Sequence, residues 1–434
     1  MIPAIIIVAL TCLAMILCVL FKPQFKFGKL VVDSYWIIVL IGALAVTIFG
    51  LIDLQTLWNS LTESSAINPL KILILFISMT VLSIFLDEVG FFKYLANLTL
   101  KKAKSNQMKL FVTLYVVVSI LTVFTSNDII VLTFTPFICY FAKNAKINPV
   151  PYFVGEFVAA NTMSMTLIIG NPTNIYIATA YGVNFLEYAK IMFLPTLAAA
   201  IVSFLILWLL FRKNLKIPAE ANVEDVKIEN KPFLVIGLIH LSVCTIALAV
   251  GPYFNIDMWL VSLVSALSLF ICIIIAALIR KQKPTELTMC LKRAPWQLIP
   301  FVLSMFIMIL ALKEQGVTNA IGNLLGESNS VLKYGVVSYL SANLINNIPM
   351  SVLFCPVIEA LNGSSLQMGA VYATIVGSNL GALLTPIGAL AGIMWSSMIK
   401  KHDVKLSYGS FIKYGSAISI PSLAVTIAVL LLIL

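Results

Sequence analysis

The chain has 434 residues, 61% of them hydrophobic and 11% charged, with a formal net charge of +10 and a mean hydropathy of +1.04. No soluble fold needs that composition, so the chain reads as a polytopic membrane protein. Its Lys and Arg residues cluster in short loops between apolar spans, the mark of cytoplasmic loops rather than of a nucleic-acid surface. Its seven scattered cysteines show no CxxC-type spacing, which argues against a disulfide framework or a structural zinc site.

Ile2 to Leu20 lacks a basic leader and a small-residue cleavage site, and is expected to be a retained first helix. The loop with Lys22, Lys26 and Lys29 is placed in the cytoplasm. Tyr35 to Leu51 crosses outward, a loop with Asp53 and Glu63 follows, and Leu73 to Leu86 returns to Asp87-Glu88-Val89-Gly90 and the basic segment Lys93 to Lys109. Leu110 to Phe124 and Ile129 to Phe141 are then two apolar arms about the polar run Thr125-Ser126-Asn127-Asp128. Each arm falls short of the ~20 helical residues a bilayer requires, and Lys101, Lys102, Lys104 and Lys109 precede the pair as Lys143 and Lys146 follow it. The spacing predicts a re-entrant hairpin over 110–142, entered from the cytoplasm. Pro149 to Gly182 is too long for one straight crossing and is interrupted at Gly170-Asn171-Pro172, so 149–182 reads as a broken helix.

Ile191 to Phe211 closes the first half, and 213–231, with Glu220, Glu224, Asp225 and Glu229, is the expected cytoplasmic linker. The second half, 232–434, repeats the pattern. It has a hairpin over 331–359 with its tip at Asn346-Asn347, and a long segment over 366–398 broken around Leu384-Thr385-Pro386. Asn127 and Asn347 stand equally far before Pro136 and Pro356, and Asn161 and Asn379 each stand nine residues before Gly170 and Gly388. Five crossings per half invert 232–434 relative to 1–212. The expected fold is therefore an all-α inverted-repeat membrane protein with about ten transmembrane helices, two oppositely oriented re-entrant hairpins and two broken helices, both termini outside.

Four mid-membrane polar clusters follow from this topology: Thr125, Ser126 and Asn127 at one tip, Asn346 and Asn347 at the other, and Asn161, Thr162, Asn171, Thr173 and Asn174 with Asn379 and Thr385 at the two breaks. Interrupted segments at matching places in two halves point to a transporter's binding site, and neutral donors and acceptors suit a small hydrogen-bonding solute. The bland alternative is that these groups satisfy helix breaks or join helices. Asp128 is the best-placed proton carrier, with Asp87 and Glu88 competing, because a carboxylate inside a membrane is costly when charged. Glu156 and Glu359 are expected near the surface. Arginine occurs only as Arg212, Arg280 and Arg293, leaving no mid-membrane fork for a phosphate or dicarboxylate. Cys139, Cys355 and His240 are read as structural, and neither a cofactor nor a metal site is expected.

Ser126-Asn127-Asp128 with Leu132-Thr133-Phe134-Thr135-Pro136, Asn346-Asn347-Ile348-Pro349, Gly377-Ser378-Asn379-Leu380-Gly381, Leu384-Thr385-Pro386-Ile387-Gly388 and Lys292-Arg293-Ala294-Pro295-Trp296 resemble motifs of the arsenite/antimonite efflux permease family, in the ion transporter superfamily. Asp403-Val404-Lys405 in the tail is similar too. The chain departs at Ile129, where the family has glycine, and at Ala382, where it has proline. The resemblance implies an inverted-repeat secondary transporter that extrudes trivalent arsenic or antimony hydroxide in exchange for protons. Sodium-coupled symport of an organic anion and sodium/proton antiport are the alternatives within the superfamily, and no HExxH or GxSxG motif suggests an enzyme. The partners it implies are a small inorganic solute, a proton or sodium ion and the lipid bilayer. An ATPase subunit or a second copy of the chain are candidate protein partners, and nucleic acid is not one.

Overall fold

The computed structural model describes residues 1–22, 24–27, 30–63, 68–103, 106–218, 227–401, 404 and 406–434. Lys29, Lys104, Glu220, Glu224, Asp225, Asp403 and Lys405 lie outside the described residues.

In chain order the first half has α1 (Ile2–Phe21), a two-stranded antiparallel hairpin of β1 (Gln24–Phe27) and β2 (Leu30–Asp33), α2 (Ser34–Ile48), α3 (Leu54–Thr62), α4 (Pro69–Glu88) and α5 (Phe91–Ala103). The pair α6 (Gln107–Phe124) and α7 (Asn127–Asn144) meets at Thr125-Ser126, and α8 (Val150–Met163) is separated from α9 (Pro172–Ala180) by an irregular segment with a 3-10 turn at Ile168–Gly170. Next comes α10 (Phe185–Phe211). The second half has α11 (Lys231–Val250), α12 (Met258–Ile279), α13 (Thr285–Arg293), α14 (Leu298–Glu314) and α15 (Val317–Leu325). The pair α16 (Ser330–Ile345) and α17 (Asn347–Ile358) meets at Asn346. Then α18 (Gln367–Gly381) and α19 (Leu390–Lys401) flank a 3-10 turn at Pro386–Gly388, and α20 (Tyr408–Ile433) ends the chain.

Eight helical runs among the described residues are long and apolar enough to cross a membrane: α1, α4, α6, α10, α11, α12, the run of α13 with α14, and α20. Their lipid-facing character shows in rows of exposed Leu, Ile and Val on α10, α11 and α12. α4, by contrast, is apolar all round and buried along most of its length, as a helix enclosed by others must be. The arms of the first pair are longer than the sequence suggested. Asn106 caps α6 by accepting from the Lys109 N–H at 2.9 Å, which draws Gln107–Lys109 into the helix, and the Ser126 hydroxyl caps α7. The loops expected after Ile52, after Val89 and between Arg280 and Arg293 contain α3, α5 and α13, whose apolar residues fall on one face. The small β hairpin occupies the expected first loop.

The helices pack in two groups. α1, α2, α4, α11, α12 and α14 form one, and the other joins α6–α10 to α16–α20, with α16 on α18 and α10 on α20 as its largest contacts. Small residues let α16 and α18 approach closely: a Cβ on Gly377 would stand 2.0 Å from the Ser338 hydroxyl and 2.4 Å from the Gly335 carbonyl.

Specific ties define the two ends of the molecule. At one end the Met1 amine binds Gln315 at 2.7 Å, Glu314 accepts from the Asp53 N–H, and Lys71 pairs with Asp257 at 3.1 Å. At the other, Arg293 pairs with Asp87 and Glu88, Arg280 donates to Asn230, and Gln107 reaches the Ile217 carbonyl. The C-terminus of α4 is thus at the second end and that of α14 at the first. All three arginines lie at or near the second, basic end.

Candidate functional site

Each helix break exposes backbone groups, and the polar side chains around it are those that satisfy them. Asn171 caps α9 through the Thr173 N–H at 3.1 Å. Asn346, whose φ of 72° is a left-handed value costly to a branched residue, caps α17 through the Ile348 N–H. Gly170 and Gly388 each end a 3-10 turn. A Cβ on Gly170 would lie 2.3 Å from the Ser164 carbonyl.

These side chains join into two hydrogen-bonded groups, one running from the first tip through the first break to Asn379 and one at the second tip and second break. Asn127 Nδ2 donates to Asn161 Oδ1 at 3.1 Å, linking the first tip to the end of α8. Asn379 of α18 then ties the halves together. Its Oδ1 accepts from Ser164 Oγ at 2.9 Å and Asn171 Nδ2 at 2.8 Å, and its Nδ2 donates to Asn174 Oδ1 at 2.7 Å and the Ile375 carbonyl at 2.8 Å. At the second tip Asn346 donates to the Ile387 carbonyl, and Thr385 donates to Asn343 at 2.6 Å. Asn379 uses all four of its hydrogen-bonding positions, so its role here is to hold the breaks together. Thr125 turns back to the Leu121 carbonyl of its own helix.

What these hydrogen bonds leave open is a set of neutral groups. The Thr162 and Thr173 hydroxyls, the Ser378 hydroxyl and Asn347 Oδ1 are buried and have no hydrogen-bond partner in the protein. A buried polar group without a partner costs ~1–3 kcal/mol, so these are the atoms best placed to receive a solute. Asp128, in the first turn of α7, is half-buried, gives its own N–H to Asn127 Oδ1, and has Tyr35 of α2 nearby.

The sequence reading missed three participants and misplaced one acid. Ser164 and Asn343 stand one turn from Asn161 and Asn346 and could have been found by helical spacing. Ser378 was passed over beside Asn379. Glu156 was expected near the surface, yet it is 1% exposed and accepts from the Thr135 hydroxyl at 2.9 and 3.2 Å. The expected near-surface position of Glu359 matches a half-exposed carboxylate paired with Lys313 at 2.7 Å.

Asp87 and Glu88 lie apart from these hydrogen-bonded groups. Both are held by Arg293, with Asp87 at 2.7 Å. They line a cavity of about 830 Å³ at the basic end, bounded also by Lys93, Glu229, Glu286 and, on α7, Thr133 and Tyr140. A smaller cavity of about 230 Å³ at the opposite end is lined by Lys313 and Glu359, with Cys355 and Pro356 of α17. Pro136 and Pro356 each border one cavity. Cys139 and Cys355 thus belong to opposite arms, and no cluster of His, Cys, Asp or Glu suited to a metal occurs among the described residues.

Comparison with known proteins gives the relatives of this arrangement. The chain is 26% identical over 414 residues to the arsenical pump membrane protein of Escherichia coli K12, covering 90% of this chain and 92% of that protein. It is 25% identical over 390 residues to the protein of the same name from Yersinia enterocolitica, covering 88% of each, and 24% identical to a putative arsenical pump membrane protein of Bacillus subtilis, covering 86% of this chain and 88% of that one. In fold it resembles the YdaH transporter of Alcanivorax borkumensis, with a TM-score of 0.59 at 12% identity over 99% of this chain and 97% of that one. These relatives are transporters rather than enzymes, and they agree with the permease resemblance carried by the motifs. Residues 17–375 match the citrate transporter family, CitMHS, so this multi-pass inner-membrane transporter belongs to that family.

Proposed function

We propose that the protein is a secondary transporter that exports a small neutral polyhydroxylated solute, trivalent arsenic or antimony hydroxide, in exchange for protons. The observation that carries the reading is the chemistry of the helix breaks and tips: unpartnered neutral hydroxyls and an amide oxygen, one carboxylate, Asp128, next to Asn127 at the first tip, and no Lys, Arg or His hydrogen-bonded to them among the described residues. Three hydroxyl groups on one central atom match such donors and acceptors. A tricarboxylate there would lack the charge-assisted bonds that usually hold it. The names of the arsenical pump relatives point the same way.

The reading takes the basic end as cytoplasmic. It takes α6–α7 and α16–α17 as re-entrant hairpins, with α2 and the broken helices completing ten crossings. Its support is that the open ends of the two pairs sit at opposite ends of the molecule: Gln107 and Tyr140 at the basic end, Ser330 and Glu359 at the other. Non-helical backbone at the tips is then covered by protein, as lipid requires.

The family's description as a citrate transporter favours a second reading, transport of an organic anion such as citrate, which we take to be coupled to sodium. The first turns of α7, α9 and α17, with their N–H groups at the tips and the first break, would supply its partial positive charge. Everted membrane vesicles separate the two. Uptake of arsenite driven by an imposed pH gradient and indifferent to sodium is the expected result. Uptake of citrate that requires sodium and survives collapse of the pH gradient would replace it with the second reading.

A further inference from the structure

Glu156 is the most deeply buried acid in the described chain that the proposed mechanism does not use. It lies in α8 where α7, α8 and α19 pack together. Its carboxylate accepts from the Thr135 hydroxyl of α7 and makes no ion pair among the described residues. The Trp395 indole N–H of α19 is a second polar neighbour, close to it but outside ordinary hydrogen-bond geometry. That ring is packed against Phe153 and Phe157 of α8 and Phe411 of α20. The other titratable groups around it are neutral: the Cys139 thiol, one turn beyond Thr135, and the Tyr152 phenol, one turn earlier on α8 and bonded to Gln107. Asp128 stands seven residues before Thr135, on the same face of α7 and about 10 Å away along the helix axis.

A charged carboxylate whose only hydrogen bond is from the Thr135 hydroxyl, with the indole N–H outside bonding geometry and no counter-ion, is costly to keep there, since an uncompensated buried charge costs several kcal/mol. The protonated acid fits there without difficulty. We infer that Glu156 is a second proton-carrying residue of this transporter, neutral while α7 is docked on α8 and α19 and ionised when those helices part. The step is a simple proton transfer. The O–H bond of the Glu156 carboxyl breaks, the electron pair stays on the carboxylate oxygen, and the proton goes to water entering from the vestibule bounded by Thr133 and Tyr140 on the opposite face of α7. At the outer side the reverse transfer restores the neutral acid. Pro136 follows Thr135 and removes the backbone bond that would stiffen α7 there, so the contact sits where the helix bends most easily. This inference rests on the proton-coupled reading above and adds a site to it.

The test compares two fluxes of arsenite in proteoliposomes, exchange of labelled for unlabelled solute at equal pH and uptake driven by a pH gradient, in wild type and Glu156→Gln. Glutamine copies the shape and bonding of the neutral acid but carries no exchangeable charge. Solute exchange is expected to persist, while gradient-driven uptake falls about tenfold or more and the pH dependence of exchange flattens. Should Glu156→Gln fail to reach the membrane, Glu156→Asp gives the answer: driven uptake retained with a displaced pH profile supports the role, and an unchanged profile overturns it. Unaltered driven uptake in Glu156→Gln, or loss of both fluxes in both variants, overturns the inference by making the residue a packing element. A wild type that ignores the pH gradient sinks the coupled reading, and this inference with it. A coupled wild type with an equally coupled glutamine variant sinks the inference alone.

Discussion

At the scale of single residues, one kind of side chain serves two purposes, and the hydrogen bonds separate them. Asn379 spends its whole amide on Ser164, Asn171, Asn174 and the Ile375 carbonyl, whereas the Thr162 hydroxyl, two positions before Ser164, is spent on nothing. Asn379→Ala would leave the buried Asn171 and Asn174 amides short of a bond. It should lower the stability of the detergent-purified protein by on the order of 3 kcal/mol, read as a fall in the thermal midpoint. Thr162→Val removes an unpartnered hydroxyl, so the midpoint should hold or rise while the half-saturating arsenite concentration increases. Equal destabilisation by both would show that the open hydroxyl is bonded after all. Asp257 gives a pH signature at the end opposite the basic one. Its carboxyl is held below the ordinary carboxylate range, first by the Trp259 indole N–H and then by Lys71. The stability it contributes is present above the unfolded-chain value and is lost as pH falls through the folded one. Because the pair is exposed, Asp257→Asn should cost no more than about 1 kcal/mol at neutral pH and nothing in acid. A cost that grows as the pH falls would contradict the assignment.

Much of this was legible in the sequence, because a polar run inside an apolar segment has few places to go. The asparagines at 127, 161, 171, 174, 346 and 379 and the breaks at Gly170 and Pro386 were visible from spacing alone. Glu156 was not. A single acid in an otherwise apolar stretch looks the same whether it ends at an interface or beneath three helices, and only the packing of α7 and α19 against α8 tells them apart. Satisfaction was invisible too: nothing in the letters says that Asn379 is saturated and Ser378 is not.

At the scale of elements, the helices read as loops share a cause. In α3 and α13 the polar and charged residues outnumber the apolar ones, and in α5 three lysines with Asn97 and Thr99 interrupt them, so hydropathy marks a loop while the apolar residues still recur on one helical face. The paired arms raise a sharper matter. α6 has enough apolar residues to cross a bilayer, so arm length alone does not argue for a re-entrant hairpin, and the argument passes to where the arms begin and end. The two prolines at equivalent places border cavities of about 830 and 230 Å³ at opposite ends, and the smaller is spanned by the Lys313–Glu359 pair between α14 and the end of α17. If that pair helps keep the outer end closed, Lys313→Glu should favour opening there. A half-exposed pair contributes about 1 kcal/mol at most, or roughly a fivefold change in the balance of states. Cys355 lines that cavity, so its rate of modification by an impermeant maleimide should rise by about that factor. Adding Glu359→Lys should bring the rate back. A rate that ignores the single reversal would remove the pair from gating.

At the scale of the whole molecule, the polar centre lies inside the group that joins α6–α10 to α16–α20, with a cavity of about 830 Å³ at the basic end and smaller ones of about 360 and 230 Å³ opposite. That asymmetry suits a carrier open to one side, and the neutral, hydroxyl-rich centre with Asp128 beside it suits a solute that crosses without charge while a proton crosses the other way. The most direct test reads both fluxes at once, with purified protein in liposomes that hold a pH-sensitive dye and are given arsenite outside. Wild type should alkalinise the lumen as arsenite enters, and Asp128→Asn should do neither at more than about a hundredth of that rate. Arsenite entry with no change of lumenal pH, or an unimpaired Asp128→Asn, would contradict proton exchange through this site.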